Sequence, residues 1–505
     1  MMHHTQWSSR RIGAAGAVLI AASVLSCAAG GAAGQDYMTA LNYLSAALAD
    51  NGRTRSILPA LRAVRDPALL PVFAALSRCG DRELRAFAVE ALPECGGAEA
   101  GAALKERVWN DPSNEIRAGA LVHLSSLKIL TDQELLDVIA KVGDENVRSL
   151  AADMLTQGEG RAKAIPALRS LVKSKDPTIR TAAQLALLKL GIEDFKDDLF
   201  KAAADANTSD AVVSLLVRKI GQDKIAAGLE LARQVAQSDR AAPVRVSAYA
   251  ALAELSPRDV QTVRTALQGS DMTIFKIYLL KIVAKSPQAQ QQLRILASND
   301  NPSVAVLVRL ELARLDGAAQ TGAAAAAALK LGHPIVVDYV VECARKDMAD
   351  RGPLAEAYVA PLLAYIRSLD APGATLGADH IRGAMAATLL INLGTPAATD
   401  GLREIAAGRY GSGVRMVGAA LMRTTNPECI GLARVLIASS YQEVVFDGAL
   451  TLARFNQPQA LPALRKIVDN PDPAQPGATA MAAWYVLKLS GKGPAAARAL
   501  AEQIK

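Results

Sequence analysis

An apolar residue followed by arginine recurs along this chain at nearly constant spacing, and that recurrence limits its fold more than any other feature. Leu84-Arg85, Ile116-Arg117, Val147-Arg148 and Ile179-Arg180 stand 32, 31 and 32 residues apart. The pair returns at Val244-Arg245, Ile381-Arg382 and Val414-Arg415, after 65, 137 and 33 residues, or two steps, four stretched steps and one. Three residues after the arginines come Ala88, Ala120, Ala151, Ala183 and Ala248, with Met385 and Gly418 as later variants. Seven residues after them come Leu92, Leu124, Leu155, Leu187, Leu252, Leu389 and Met422. Such spacing puts the three positions on one face of an α-helix. The small residue in the middle lets a neighbouring helix come close.

A second apolar-periodic segment precedes each of these helices, as in Ile165-Pro166-Ala167-Leu168-Arg169-Ser170-Leu171-Val172. Between the two, Asp176-Pro177 offers a capping carboxylate before a proline at the first helical position. Asp111-Pro112 and Asn301-Pro302 give the same signal. Each unit therefore reads as a helical hairpin, and about fourteen fit in the chain. The first pairs 37–50 with 54–65; the last pairs 459–469 with 474–489, before a closing helix over 494–505.

The pattern resembles HEAT repeats. The resemblance is carried by Ala164-Ile165-Pro166-Ala167-Leu168, Asp176-Pro177-Thr178-Ile179-Arg180 and Leu185–Gly191, with proline in the first helix, Asp and Arg at the turn and Leu-Gly closing the second helix. It covers nearly all of 36–491 and weakens over 316–376, where the run Ala323–Ala328 lacks large apolar partners and a Gly/Pro-containing loop fills 370–379. That stretch reads as repeat drift, a hinge, an altered register or an insertion. The resemblance implies an all-α, right-handed superhelix over 35–505, with second helices on its concave side. With layers about 8–10 Å apart, its contour would be of order 120–140 Å. It also implies that repeated Asp and Arg residues link adjacent turns, so Arg85, Arg117, Arg148, Arg180, Arg245, Arg382 and Arg415 form a structural ladder.

Composition agrees with thin stacked layers. Seven Phe, ten Tyr and three Trp in 505 residues are too few to anchor several separate globular cores, and Ala, Leu, Val and Ile must fill the interior. Residues 1–34 read as an address: Arg10-Arg11, an apolar stretch from Ile12 to Leu25, then small residues. Val24-Leu25-Ser26-Cys27 resembles a lipobox, which would make Cys27 the lipidated first residue and Ala28–Gly34 a tether. Ala32-Ala33-Gly34 offers ordinary signal cleavage instead. Either way the expected location is exported: a membrane-anchored lipoprotein, or a periplasmic or secreted protein. Beyond the leader no apolar run approaches the roughly 20 residues that span a bilayer.

The formal charge of +7 falls to +5 without the two leader arginines (7 − 2), and its groups are interspersed except for an excess of four positive over 451–505. Nucleic-acid binders concentrate their charge on one face, so nucleic acid is not the expected partner. Cys79, Cys95, Cys343 and Cys429 have no CxxC or metal-ligand spacing. Cys79 and Cys95 at opposite ends of one helix would be roughly 18–20 Å apart, too far for a disulfide, and read as small buried hydrophobes. His123, His333 and His380 lie far apart, and no HExxH, G-x-S-x-G or phosphate-cradling loop occurs. No catalytic, cofactor or metal residues are nominated. Trp109, Tyr249, Tyr278, Tyr410, Tyr441 and Trp484-Tyr485 are aromatic contact candidates for which a core position is as natural. The expected function is a non-catalytic exported scaffold binding an unspecified protein. Alternatives are a HEAT-like lyase or glycosylase, or a module whose basic C-terminal portion touches envelope polymer.

Overall fold

The computed structural model describes residues 32–157, 160–205, 207–256, 287–370, 377–408 and 411–504. The leader up to residue 31, including Cys27, and the candidates Tyr278 and Tyr410 lie outside the described residues. Among those described there are 27 α-helices and no strand. Two compact units emerge. One contains the residues up to Leu127 together with Cys429 onward, and the other runs Lys128–Glu428.

The first unit opens with α1 (Ala32–Leu48), α2 (Asn51–Val64), α3 (Leu70–Leu76), α4 (Arg82–Cys95), α5 (Gly97–Asn110) and α6 (Asn114–Ser126). The second contains α7 (Asp132–Lys141), α8 (Glu145–Leu155), α9 (Arg161–Leu171), α10 (Pro177–Lys189), α11 (Lys196–Ala204), α12 (Asp210–Gln222), α13 (Leu229–Gln237) and α14 (Ala242–Leu255). It continues through α15 (Pro287–Leu296), α16 (Pro302–Asp316), α17 (Ala318–Lys330) and α18 (Pro334–Ala349). It ends with α19 (Val359–Ser368), α20 (Ala378–Leu393), α21 (Pro396–Ala407) and α22 (Ser412–Leu421). The first unit resumes with α23 (Cys429–Ile437), α24 (Gln442–Arg454), α25 (Leu461–Asp469), α26 (Pro476–Leu489) and α27 (Gly493–Ala501). The alanine run of α17 is an ordinary helix packed against α16. Ala32–Gly34, read above as the end of a tether, begin α1.

Capping signals explain where helices start. The Asp81 carboxylate accepts the Glu83 and Leu84 amides, Asp144 accepts Val147, and Asp176 accepts Thr178 and Ile179. Asn301 does the same before Pro302. Asp111 departs from this pattern: α6 begins at Asn114 after Ser113, and Asp111 sits in the turn as a fully buried acceptor. Gly191 and Gly491, with φ of +83° and +73°, end second helices in the left-handed conformation that L side chains rarely adopt.

The face predicted to be buried is buried in six of the seven arginine-bearing helices. Leu84, Ile116, Val147, Ile179, Val244 and Val414 are core residues, as are Ala88, Ala120, Ala151, Ala183 and Ala248 behind them. In α20 the face is different. Gly383, Ala384, Ala387, Leu390 and Ile391 point inward, while Ile381 and Met385 are 55% and 42% exposed. The cause lies at Gly383, where a β-carbon would fall 2.0 Å from Met416 Sδ of α22. Met416 occupies the space that a side chain would need, and the helix turns its larger apolar residues outward.

Within the first unit, the chain's two ends pack on one another. α26 lies against α1 and α2, and α27 lies against α3. Trp484 on α26, fully buried, donates its Nε1 to Asp66 Oδ2 at 3.1 Å, and Lys488 reaches the same oxygen at 3.0 Å. The other Asp66 oxygen accepts the Ala68 amide. Tyr43 Oη donates to the Pro476 carbonyl, and Arg465 pairs with Asp36 at 2.9 Å. The closing helix therefore covers the first repeat, and each terminal hairpin caps the other. Solenoid ends must otherwise carry polar faces of their own.

Candidate functional site

Helices α18 and α20 and one arginine line a groove of about 610 Å³ in the second unit. From α18 come Asp338, Val341, Glu342 and Arg345, and from α20 come Arg382, Met385, Thr388, Leu389 and Asn392. Arg423 follows α22. The α18 residues recur at helical spacing on a single face, as do those of α20. Val341, Met385 and Leu389 supply its apolar surface, and Ile381, one turn before Met385 on α20, is exposed outside the lining. Isolated exposed hydrophobics are ordinary, whereas contiguous ones rimmed by charge mark interaction surfaces.

The charges of the groove are mostly paired. Arg382 Nε donates to Asp338 Oδ1 at 2.7 Å and its Nη1 to Asp379 at 3.1 Å. The hydrogen bond to Asp338 raises the Arg382 pKa and fixes its charge. Arg345 donates twice to Glu342, three residues earlier on α18, and that hydrogen bond likewise raises its pKa. Arg423 is exposed and makes no side-chain hydrogen bond or ion pair with the described residues. Thr424 beside it donates to Asn392 Oδ1, which places Arg423 at the Asn392 end.

Three arginines of the ladder are engaged in the turns of their own hairpins. Arg85, Arg117 and Arg180 each donate to the carbonyl six residues back, those of Cys79, Asp111 and Ser174, at 3.1, 2.6 and 2.9 Å. Each thereby pins the turn of its own hairpin. Arg85 also reaches the next turn, donating from Nε to the buried Asp111 carboxylate at 2.9 Å. Asp81 and Asp176, four residues before Arg85 and Arg180, cap their helices instead of pairing with those arginines. Arg148 and Arg245 stand in the same place with buried Nε atoms that have no hydrogen-bond partner. Arg415 is half-buried on α22. Arg382 alone turns into the groove, because α20 has the other face buried.

A buried polar cluster escaped the sequence reading. Arg314 Nη1 donates to both Glu311 oxygens at 2.8 Å, while its Nε and Nη2 grip Asp347 at 2.8 and 2.6 Å. Tyr339 donates to Glu311 and Tyr358 to Asp347. Burial opposes the Arg314 charge, but the Asp347 hydrogen bond and both carboxylates outweigh it and raise the pKa. Burial also pushes the Cys343 thiol and both phenols upward, so none ionises at neutral pH. With no free hydrogen-bonding partner and no access, the cluster holds α16, α18 and the turn before α19 together. Its signal was the spacing of Glu311 and Arg314 within an apolar helix.

The four cysteines among the described residues are free and buried; burial pushes the Cys95 thiol to about 12 and that of Cys429 to about 11. His123 Nε2 lies 3.2 Å from Glu90 on the neighbouring α4, His333 is exposed ahead of α18, and His380 has a buried Nε2. Of the aromatic candidates, Tyr249, Trp484 and Tyr485 are core residues, while Trp109 and Tyr441 are 36% and 43% exposed. Among the described residues, no acidic, Cys or His group has the arrangement of a metal site, and no helix is long and apolar enough to cross a membrane.

Residues 133–215 match the family described as HEAT repeats, and these residues are HEAT repeats in fold as in sequence. No curated protein matches the chain. Among solved structures the karyopherin Kap121p is similar over 84% of this chain and 54% of its own, at 12% identity and a TM-score of 0.36. Kap121p bound to the extreme C-terminus of the phosphatase Cdc14p gives 13% identity and 0.34, over 84% and 50%. UNC-45 from Drosophila melanogaster gives 14% identity and 0.29, over 93% of this chain and 80% of its own. The chain spans about half the length of the karyopherin.

Proposed function

We propose that this HEAT-repeat chain is an exported, non-catalytic scaffold that binds a protein partner in the cell envelope. The observation that carries the reading is the α18/α20 groove, where a change of buried face leaves Ile381 and Met385 in solvent between arginines. A helix that exposes large apolar residues while burying glycine and alanine loses hydrophobic stabilisation, about 1.5–3 kcal/mol for each large side chain left outside. A partner seated there would restore that burial. Stacked hairpins suit the role, since each repeat adds surface without altering its neighbours' fold.

Export is the reading of the leader: the basic pair Arg10-Arg11, the apolar run to Leu25, and Cys27 as the residue that would carry lipid. Radiolabelled palmitate supplied to cells making the wild type or Cys27→Ser tests anchoring; label in the wild type alone supports it. Crosslinking and pull-down from the envelope tests partner binding. A stoichiometric protein is expected, whereas turnover in a broad hydrolase and lyase screen would refute the non-catalytic reading.

A further inference from the structure

The groove is not uniform along its length, and its gradient points to the chemistry of what it holds. The Asp338–Arg382 pair brings the early turns of both helical faces side by side. From there the faces run toward Arg345 on α18 and Asn392 on α20. The first end is closed electrostatically, because Arg382 is shared between Asp338 and Asp379. In the middle lie Val341, Met385 and Leu389. At the far end Arg345 pairs with Glu342 and Arg423 makes no ion pair with the described residues, so that end carries an excess positive charge, while at the first end two carboxylates share one arginine. From Arg382 to Asn392 the α20 face extends about 15 Å at 1.5 Å per residue, the length of four or five extended residues.

We propose that the groove holds a short extended peptide segment of the partner in which apolar residues stand next to an acidic one. The apolar side chains lie on Val341, Met385 and Leu389, and the carboxylate pairs with Arg423. Methionine is suited to this place because its flexible thioether adapts to different side chains. A guanidinium accepts a carboxylate in a two-bond fork, a geometry that a lysine cannot reproduce. At this end a basic residue would meet the Arg423 charge, and the half-buried Glu342 carboxylate beside it is already held by Arg345. The inference rests on the scaffold reading and specifies its ligand.

An array of immobilised five-residue peptides covering every combination of Leu, Ser, Glu and Lys, probed with the labelled full-length chain, tests it. Peptides with leucine next to glutamate, in either order, should be retained at least tenfold more strongly than their lysine counterparts. Arg423→Glu should abolish or reverse that charge preference, and Met385→Asp should remove retention of both classes. Both positions are exposed, and circular dichroism verifies that the variants fold. Equal retention of lysine peptides, retention of none, or an unchanged preference in Arg423→Glu overturns the proposal. So does a concentration-dependent dimer that Met385→Asp dissociates, since a second copy would then fill the groove. A partner captured from the envelope equally by the wild type and both variants would leave the scaffold reading standing and remove this groove from it.

Discussion

Arg85 illustrates how one side chain fastens successive repeats. It donates to the Cys79 and Gly80 carbonyls of its own turn and to the buried Asp111 carboxylate of the next. Breaking a buried pair strands the remaining charge and typically costs about 3–5 kcal/mol. Arg85→Ala should therefore lower the stability of the first unit by that amount in a guanidinium melt. Arg148→Ala, whose Nε has no partner, should cost less. Asp447 on α24 acts in the opposite direction. Half-buried, with Glu443 one turn away, it has a pKa pushed up by burial to about 7. Its protonated form is favoured by folding, so its contribution is complete below pH ~4 and disappears as pH rises through about 7. The first unit should lose up to about 4 kcal/mol from this group between pH 4 and 8. In Asp447→Asn that part of the pH dependence should vanish, which melts at several pH values will detect.

At the scale of elements, α20 separates what periodicity reveals from what it hides. Most repeat helices have one apolar face, so their buried positions follow from spacing alone. α20 has two: Ile381, Met385 and Leu389 on one side, and Gly383, Ala387 and Ile391 on another. Size favours the first set, and the structure buries the second because Met416 of α22 occupies the notch at Gly383. That contact joins residues from different repeats and leaves no local trace in sequence. The groove was invisible for the same reason, although Arg382 and Met385 were already singled out as ladder variants. Met385→Glu should change stability by no more than about 0.5 kcal/mol, as exposed substitutions usually do. Ala387→Glu, which introduces an unpaired buried carboxylate, should cost several kcal/mol. The opposite ranking in thermal melts would restore the register suggested by spacing.

For the whole molecule, repetition explains how 505 residues fold with so few aromatic anchors, since every layer is thin. It does not foretell that the ends meet. Asp66 and Trp484 are 418 residues apart, and only a turn motif and an apolar helix mark them locally. Trp484→Phe retains most of the buried volume but leaves Asp66 without its indole donor. It should cost about 1–3 kcal/mol, confined to the first unit and resolved as a separate transition by hydrogen exchange. The function depends on the other unit. A photo-crosslinking p-benzoylphenylalanine at position 385, in the full-length chain made in its native cells, tests that claim most directly. A discrete protein adduct that is absent with the same group at the exposed Leu331, and lost in Arg423→Glu, is the predicted result. No adduct at 385, or one indifferent to Arg423, would contradict the account.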